Sequence, residues 1–158
     1  MEKLKSNQNL ALVSDAGTPL ISDPGYKLIR ECILQNVEID SLPGPSSVTT
    51  ALTLSGLPPD KFLFLGYPPE KQGKRKKFFE EAVSINKITP TTFISFVAPF
   101  KLIKTLTEMQ EILGDIEITL AKELTKIHQK VEAKEISLWL EQFKKQNPKG
   151  EWVMLFRV

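Results

Sequence analysis

Short β-type runs alternate with helix-length stretches along most of this chain, and Gly or Pro stands at most of the changes between them. That repeated switch of period constrains the fold more than any other feature. It predicts an α/β architecture with a largely parallel or mixed sheet. Leu10-Ala11-Leu12-Val13-Ser14 reads as the first strand, apolar enough to be covered on both faces. Asp15-Ala16-Gly17-Thr18-Pro19 breaks it. Asp23-Pro24 then reads as a helix start, with Asp as N-cap and Pro in the first turn. Tyr26, Ile29, Cys32 and Ile33 share one face of that helix, which makes Cys32 a buried thiol. Residues 37–42 read as a second strand. It runs into Pro43-Gly44-Pro45-Ser46-Ser47, whose serines can cap a helix that Gly56 closes.

Leu57-Pro58-Pro59 cannot continue a helix and reads as a connection. It divides the sequence into residues 1–60 and 61–158. In the second part, strands are expected at 62–66, 91–97, 116–121 and 151–157. Helices are expected from the basic run to about residue 85, from Pro99 to Leu113 with Gly114 at its end, and over 133–145. The first part has only two strands, and an isolated two-stranded sheet is marginal. The expectation is therefore two α/β domains, the first incomplete, with a neighbouring strand supplied from before residue 10 or by another chain.

Several classes are excluded by what the sequence lacks. No apolar run approaches the roughly 20 residues that cross a bilayer, and Met1-Glu2-Lys3-Leu4 opens no signal-peptide core. Cys32 is the one cysteine, so no intrachain disulfide or cysteine metal site forms. A cytoplasmic, metal-free protein is the expectation. No P-loop and no strand-linked G-x-G-x-x-G occurs. His128 is the one histidine, with no nucleophile elbow for it to serve. A net charge of +2 says little by itself. The cluster of Lys71, Lys74, Arg75, Lys76 and Lys77 says more: it is either a solvated helix start or a contact for nucleic-acid phosphates.

Two loops follow strands of the parallel type: Ser14-Asp15-Ala16-Gly17-Thr18-Pro19 and Leu42-Pro43-Gly44-Pro45-Ser46-Ser47. Ligands of open α/β sheets bind beyond the carboxyl ends of strands, and small residues let backbone amides come close. The same residues also serve plain tight turns. The wording of the loops is more specific. Leu12-Val13-Ser14-Asp15-Ala16-Gly17-Thr18-Pro19, with Ile21-Ser22-Asp23-Pro24-Gly25-Tyr26, resembles the signature of the ribosomal RNA small subunit methyltransferase I family. That family lies within the tetrapyrrole methylase-like superfamily. Leu42-Pro43-Gly44-Pro45-Ser46 matches in order. So do Gly56-Leu57-Pro58 with Phe62-Leu63-Phe64-Leu65-Gly66-Tyr67, Lys122-Glu123-Leu124-Thr125-Lys126-Ile127-His128, and Gly150-Glu151-Trp152-Val153.

The resemblance implies a homodimeric, two-domain methyltransferase that holds S-adenosylmethionine between its domains. It implies methylation of the ribose 2′-hydroxyl of a cytidine in small-subunit (16S) ribosomal RNA, with the small subunit as partner. Carried over by motif, cofactor contacts fall at Asp15, Ala16, Gly17, Ile21, Ser46, Ser47, Tyr67 and Ala121. Asp15 and Glu123 are the carboxylates placed to orient or deprotonate the hydroxyl. Lys71, Lys74, Arg75, Lys76 and Lys77 become RNA contacts. Two departures stand out. The family's opening strand and Gly-Thr-Pro-Ile-Gly-Asn-Leu-like loop have no counterpart here, so the chain is expected to start partway into the first domain. Where the family reads Tyr-Glu-Ser-Pro-His-Arg, this chain has Phe96-Val97-Ala98-Pro99-Phe100-Lys101, without the acid and the histidine. The rival readings are a tetrapyrrole C-methyltransferase and a truncated, non-catalytic fragment of the same fold.

Overall fold

The computed structural model describes residues 1–6 and 8–158. They form two compact units, residues 1–46 and 47–158. The boundary between the units falls at Ser46/Ser47, and the helix that follows it packs on the sheet of the second unit.

The first unit contains α1 (Glu2–Lys5) and α2 (Tyr26–Leu34). Neither expected strand forms among its described residues: 10–14 and 37–42 carry no regular secondary structure. The composition of those runs suits strands, yet a strand exists only through its ladder, and among the described residues neither run is paired. Val13 and Leu42 accordingly stay more than 80% exposed. Helix α2 starts after Gly25, not at Asp23-Pro24. Asp23 instead accepts a hydrogen bond from the Ser14 hydroxyl, so its side chain ties two loop segments together. Of the expected helix face, Cys32 is buried and Ile29 half-buried, whereas Tyr26 and Ile33 are exposed.

The second unit is built around one mixed sheet. Its elements are α3 (Ser47–Ser55), β1 (Phe62–Phe64), α4 (Gln72–Ile88), β2 (Thr92–Val97), α5 (Pro99–Leu113), β3 (Glu117–Lys122), β4 (Lys130–Glu135), α6 (Ile136–Lys145) and β5 (Trp152–Phe156). The strand order is β1-β2-β5-β3-β4. β1 and β2 run parallel, and the other three pairings are antiparallel. The sheet is buried on both faces. Trp152, Met154 and Phe156 of β5 point into a core with Phe79 of α4, Leu102, Leu106 and Met109 of α5, and Trp139 and Phe143 of α6. Val153 and Leu155 point the other way, against Val48, Ala51 and Leu52 of α3. Period-2 alternation in β5 thus feeds two layers at once. Each large side chain so buried contributes about 1.5–3 kcal/mol.

Local signals explain most boundaries. Pro99 opens α5, and Gly114, at φ +78°, closes it. α6 is shorter at its start than the sequence implied, because residues 130–135 form the edge strand β4 instead. Its first turn is capped from a distance. Asp115 Oδ1 accepts the Ser137 backbone N–H at 2.7 Å. No helix is long and apolar enough to cross a membrane among the described residues.

Candidate functional site

In the first unit the two signature loops meet. Thr18 donates from Oγ1 to the Pro45 carbonyl at 3.0 Å, so the 14–19 loop is clasped to the 43–46 loop. The chain between them is forced into unusual backbone. Gly17 has φ +75°, and Leu20 and Ser22 have φ +74° and +64°. Non-glycine residues in that region cost of order 1–3 kcal/mol each and cluster where a ligand or switch requires them. A Cβ on Gly17 would meet nothing within 4 Å. Its glycine therefore serves backbone conformation and leaves an open approach to the loop. Asp15, Ala16 and Gly17 are all exposed, and Ile21 is 47% exposed. Among the described residues, no hydrogen bond or ion pair commits the Asp15 carboxylate. Ser46 is half-buried at the end of this unit.

In the second unit, the carboxyl ends of β1, β2 and β3 lie at one end of the sheet, with the start of β5 between them; Val97 and Lys122 both pair with Trp152. Tyr67 stands just beyond β1. Gly66, at φ +68°, turns the chain there, and its carbonyl accepts the Phe96 N–H at 3.0 Å. The Tyr67 ring meets Phe96 edge-on at 5.5 Å, and Phe96 meets Phe64 at 4.8 Å. Tyr67 keeps 57% of its surface open, so its outer face and hydroxyl can reach a ligand. Ser47, half-buried, opens α3. Ala121 is different. Its side chain is fully buried against α3 and β5, and its backbone is paired to Val131 and Val153. It shapes the sheet but presents no polar group to a ligand.

Glu123 leaves β3 with φ +48°, followed by Thr125 at +64°. Its N–H donates to the Glu151 carbonyl at 3.0 Å, and its carboxylate accepts the Glu151 N–H at 2.7 Å. Lys126 bridges Glu123 at 3.4 Å and Glu151 at 2.9 Å. The Glu151 N–H, chiefly, holds the Glu123 carboxyl below the usual range, and Lys126 and Lys122 add to this. A carboxylate so engaged is a weak proton acceptor. The geometry fits a latch that fixes the β3–β4 loop, not a general base. Gly150 completes the latch, since a Cβ there would lie 2.6 Å from the Glu123 carboxylate. In the sequence, Gly150, Glu151 and Lys126 are visible only as members of the matching motifs; that Gly150 and Glu151 come against Glu123 has no local signal, because the contact spans 28 positions.

The basic run does not act as a block. Lys71, Lys74, Lys76 and Lys77 are exposed, with Lys76 3.8 Å from Glu80. Arg75 is 3% exposed and faces inward. It forms a two-pronged ion pair with Glu108, so it is removed from the set of RNA contacts. A helix has an inside, and the third cation of this run falls on it, in line with Phe79 and Ala82. His128 and Ile127 lie on the exposed β3–β4 loop. Among the described residues, no group of three or more His, Cys, Asp or Glu could hold a metal ion.

Comparison with known proteins gives this arrangement a context. The chain is 46% identical over 152 residues to the ribosomal RNA small subunit methyltransferase I of Rickettsia prowazekii, covering 96% of this chain and 53% of that protein. The protein of the same name from Thermotoga maritima is 39% identical over 148 residues, covering 94% and 64%. That of Vibrio cholerae is 40% identical over 159 residues, covering 98% and 54%. The chain thus spans between half and two thirds of the length of these relatives. Among solved structures, the methyltransferase CobJ superposes with a TM-score of 0.70 at 15% identity, over 99% of this chain and 68% of that one. A cobalt precorrin-4 methyltransferase superposes at 0.53 and 17% identity, over 88% and 60%. These two share the fold. The family model for tetrapyrrole (corrin/porphyrin) methylases matches residues 1–138, most of the α/β framework and both signature loops, and the chain belongs to that family.

Proposed function

We propose that this chain carries out S-adenosylmethionine-dependent 2′-O-methylation of a cytidine ribose in small-subunit ribosomal RNA, in the cytoplasm and as part of a homodimer. The observation that carries the reading is the 46% identity, over 96% of the chain, to a protein named for methylating that RNA. The proposed organisation is two α/β domains, residues 1–60 and 61–158.

When bound, S-adenosylmethionine supplies a sulfonium-borne methyl group. Transfer to a hydroxyl is an in-line displacement, so the protein's main task is orientation. The residues present suit such a group. In the first unit, Asp15 offers an uncommitted carboxylate for the cofactor's amino groups or for the incoming hydroxyl. Ala16, Gly17 and Ile21 offer open backbone and an apolar edge, and Ser46 flanks them. In the second unit, Ser47 opens a helix and Tyr67 offers an aromatic face. Ala121 contributes only the shape of the strand end. A ribose hydroxyl is a poor nucleophile, and a nearby base helps it; Asp15 is the better candidate, and Glu123 positions the β3–β4 loop. Lys71, Lys74, Lys76 and Lys77 are the proposed phosphate contacts.

The test is methyl transfer from radiolabelled S-adenosylmethionine to unmethylated small subunits, with a porphyrinogen as competing acceptor. Label on a cytidine ribose supports the proposal. Label on the porphyrinogen alone would favour the tetrapyrrole C-methylase reading. Failure of the chain to bind S-adenosylmethionine by calorimetry would favour a non-catalytic fragment. Asp15→Ala is expected to weaken cofactor binding by tenfold or more, about 1.4 kcal/mol. An unchanged affinity removes Asp15 from the site.

A further inference from the structure

Arg75 belongs to the basic run in sequence but not in space. Nε and Nη2 donate to Glu108 at 2.7 and 2.6 Å. Nη1 donates twice in the opposite direction, to the carbonyls of Pro69 at 2.7 Å and Glu70 at 2.9 Å. Four N–H donors of one guanidinium are thus spent, two on a buried acid of α5 and two on the loop between β1 and α4. That loop follows β1 and carries Gly66 and Tyr67. Tyr67 is joined to the held carbonyls through Pro68 and Pro69, whose rings fix φ. A constraint at Pro69 and Glu70 therefore passes back to Tyr67 with little slack. The other end is held by the Phe96 N–H on the Gly66 carbonyl. Lys101 adds an ion pair to the Glu70 side chain.

We propose that Arg75 is a positioning residue: braced by Glu108, it straps the Pro69–Glu70 carbonyls and so sets the Tyr67 ring at the sheet end for S-adenosylmethionine. The cofactor part rests on the proposed function; the strap does not. An ion pair needed only to fill the core would not require the two loop carbonyls, and an RNA contact would not be buried.

The experiment uses the full chain in three forms: wild type, Arg75→Lys, and the double variant Arg75→Met/Glu108→Leu. Lysine keeps the charge but lacks the planar fork. The double variant removes the strap while leaving apolar side chains of similar size, an exchange that is often neutral for stability. Three quantities are read: the tryptic cleavage rate at the Lys71–Gln72 bond relative to that at Lys130, the Tyr67–Phe96 ring contact by NMR, and the salt slope of binding to a single-stranded RNA oligonucleotide. Both variants are expected to be cut at least about tenfold faster after Lys71, with the Lys130 rate unchanged, as a local opening requires. The ring contact should weaken and the salt slope should stay the same. Cleavage and ring contact unchanged in both variants would overturn the strap. A salt slope lowered by about one would show Arg75 to be a phosphate contact. Calorimetry with S-adenosylmethionine separates the two levels. Wild-type binding weakened about tenfold in the variants supports the positioning role, and retained affinity with a loosened loop rejects it. Absence of binding by the wild type sinks the proposed function, while the cleavage and ring data still judge the strap.

Discussion

Replacing Gly150 by alanine probes the latch at the sheet end. The new Cβ would sit 2.6 Å from Glu123 Oε1, 2.8 Å from Cδ and 2.9 Å from Cγ. The side chain of Glu123 can swing away, but only by giving up the Glu151 N–H and loosening its contact with Lys126. A hydrogen bond to a charged group contributes about 1.5–3 kcal/mol. The backbone adds its own cost: Gly150 has φ +84°, and an L-residue there costs roughly 1–2 kcal/mol. Together these give about 2.5–5 kcal/mol. At roughly 2–4 °C per kcal/mol for a protein of this size, Tm should fall by between about 5 and 20 °C. Thermal unfolding followed by far-ultraviolet circular dichroism measures this. The decisive comparison is with Glu123→Ala and with the double variant. Once the carboxylate is gone, the alanine at 150 has nothing to collide with. The double variant should then lose clearly less than the sum of the singles, by about 1–3 kcal/mol. Costs that add within about 0.5 kcal/mol would refute the latch, and so would an unchanged Tm for Gly150→Ala.

The same carboxylate makes a pH prediction. Its folded-state pKa is held down, so its contribution is fully present above the unfolded value of about 4.3 and is lost as pH falls through the lower folded value. Glu123→Gln should flatten the acid limb of a stability–pH curve and leave the neutral region's slope alone; an unaltered acid limb counts against the latch. Asp115→Ala should destabilise the protein by uncapping α6, read as a lower urea midpoint at constant slope. Replacing Lys71, Lys74 and Lys77 together by Gln should lower the salt slope of RNA binding by up to about three, with little change in Tm. A slope equal to wild type would place the RNA elsewhere.

Much of the second unit was legible in the sequence because its signals are local. Pro99 and Gly114 bracket α5 at the residues where they stand, and Gly56 closes α3. β4 was hidden by its own chemistry. Lys130, Glu132 and Lys134 alternate along an edge strand, where charge discourages pairing with other chains. Val131 and Ala133 do alternate with these charges, but two small apolar residues are a weak strand signal until β3 is beside them. Residues 10–14 and 37–42 of the first unit failed in the opposite sense: their composition is that of strands, but pairing is a property of two chains of atoms, not one. Arg75 shows the same limit at the site. A basic run announces charge, while its buried member is defined by Glu108, 33 positions further along. The Asp15–Gly17 loop was readable as a motif, but its clasp to Pro45 through Thr18 was not.

The strand order has a consequence for how this unit is made. β5 lies in the middle of the sheet, yet it is last of the five along the chain. As the polypeptide emerges from synthesis, β1–β2 and β3–β4 can form as two separate ribbons, each with one raw inner edge. Only when Trp152–Phe156 arrives are the two halves joined, and five consecutive buried residues close both edges at once. Loss of that segment would leave two sticky half-sheets rather than a slightly smaller domain. The window before its arrival is when the nascent chain is most exposed to misassociation and to proteases.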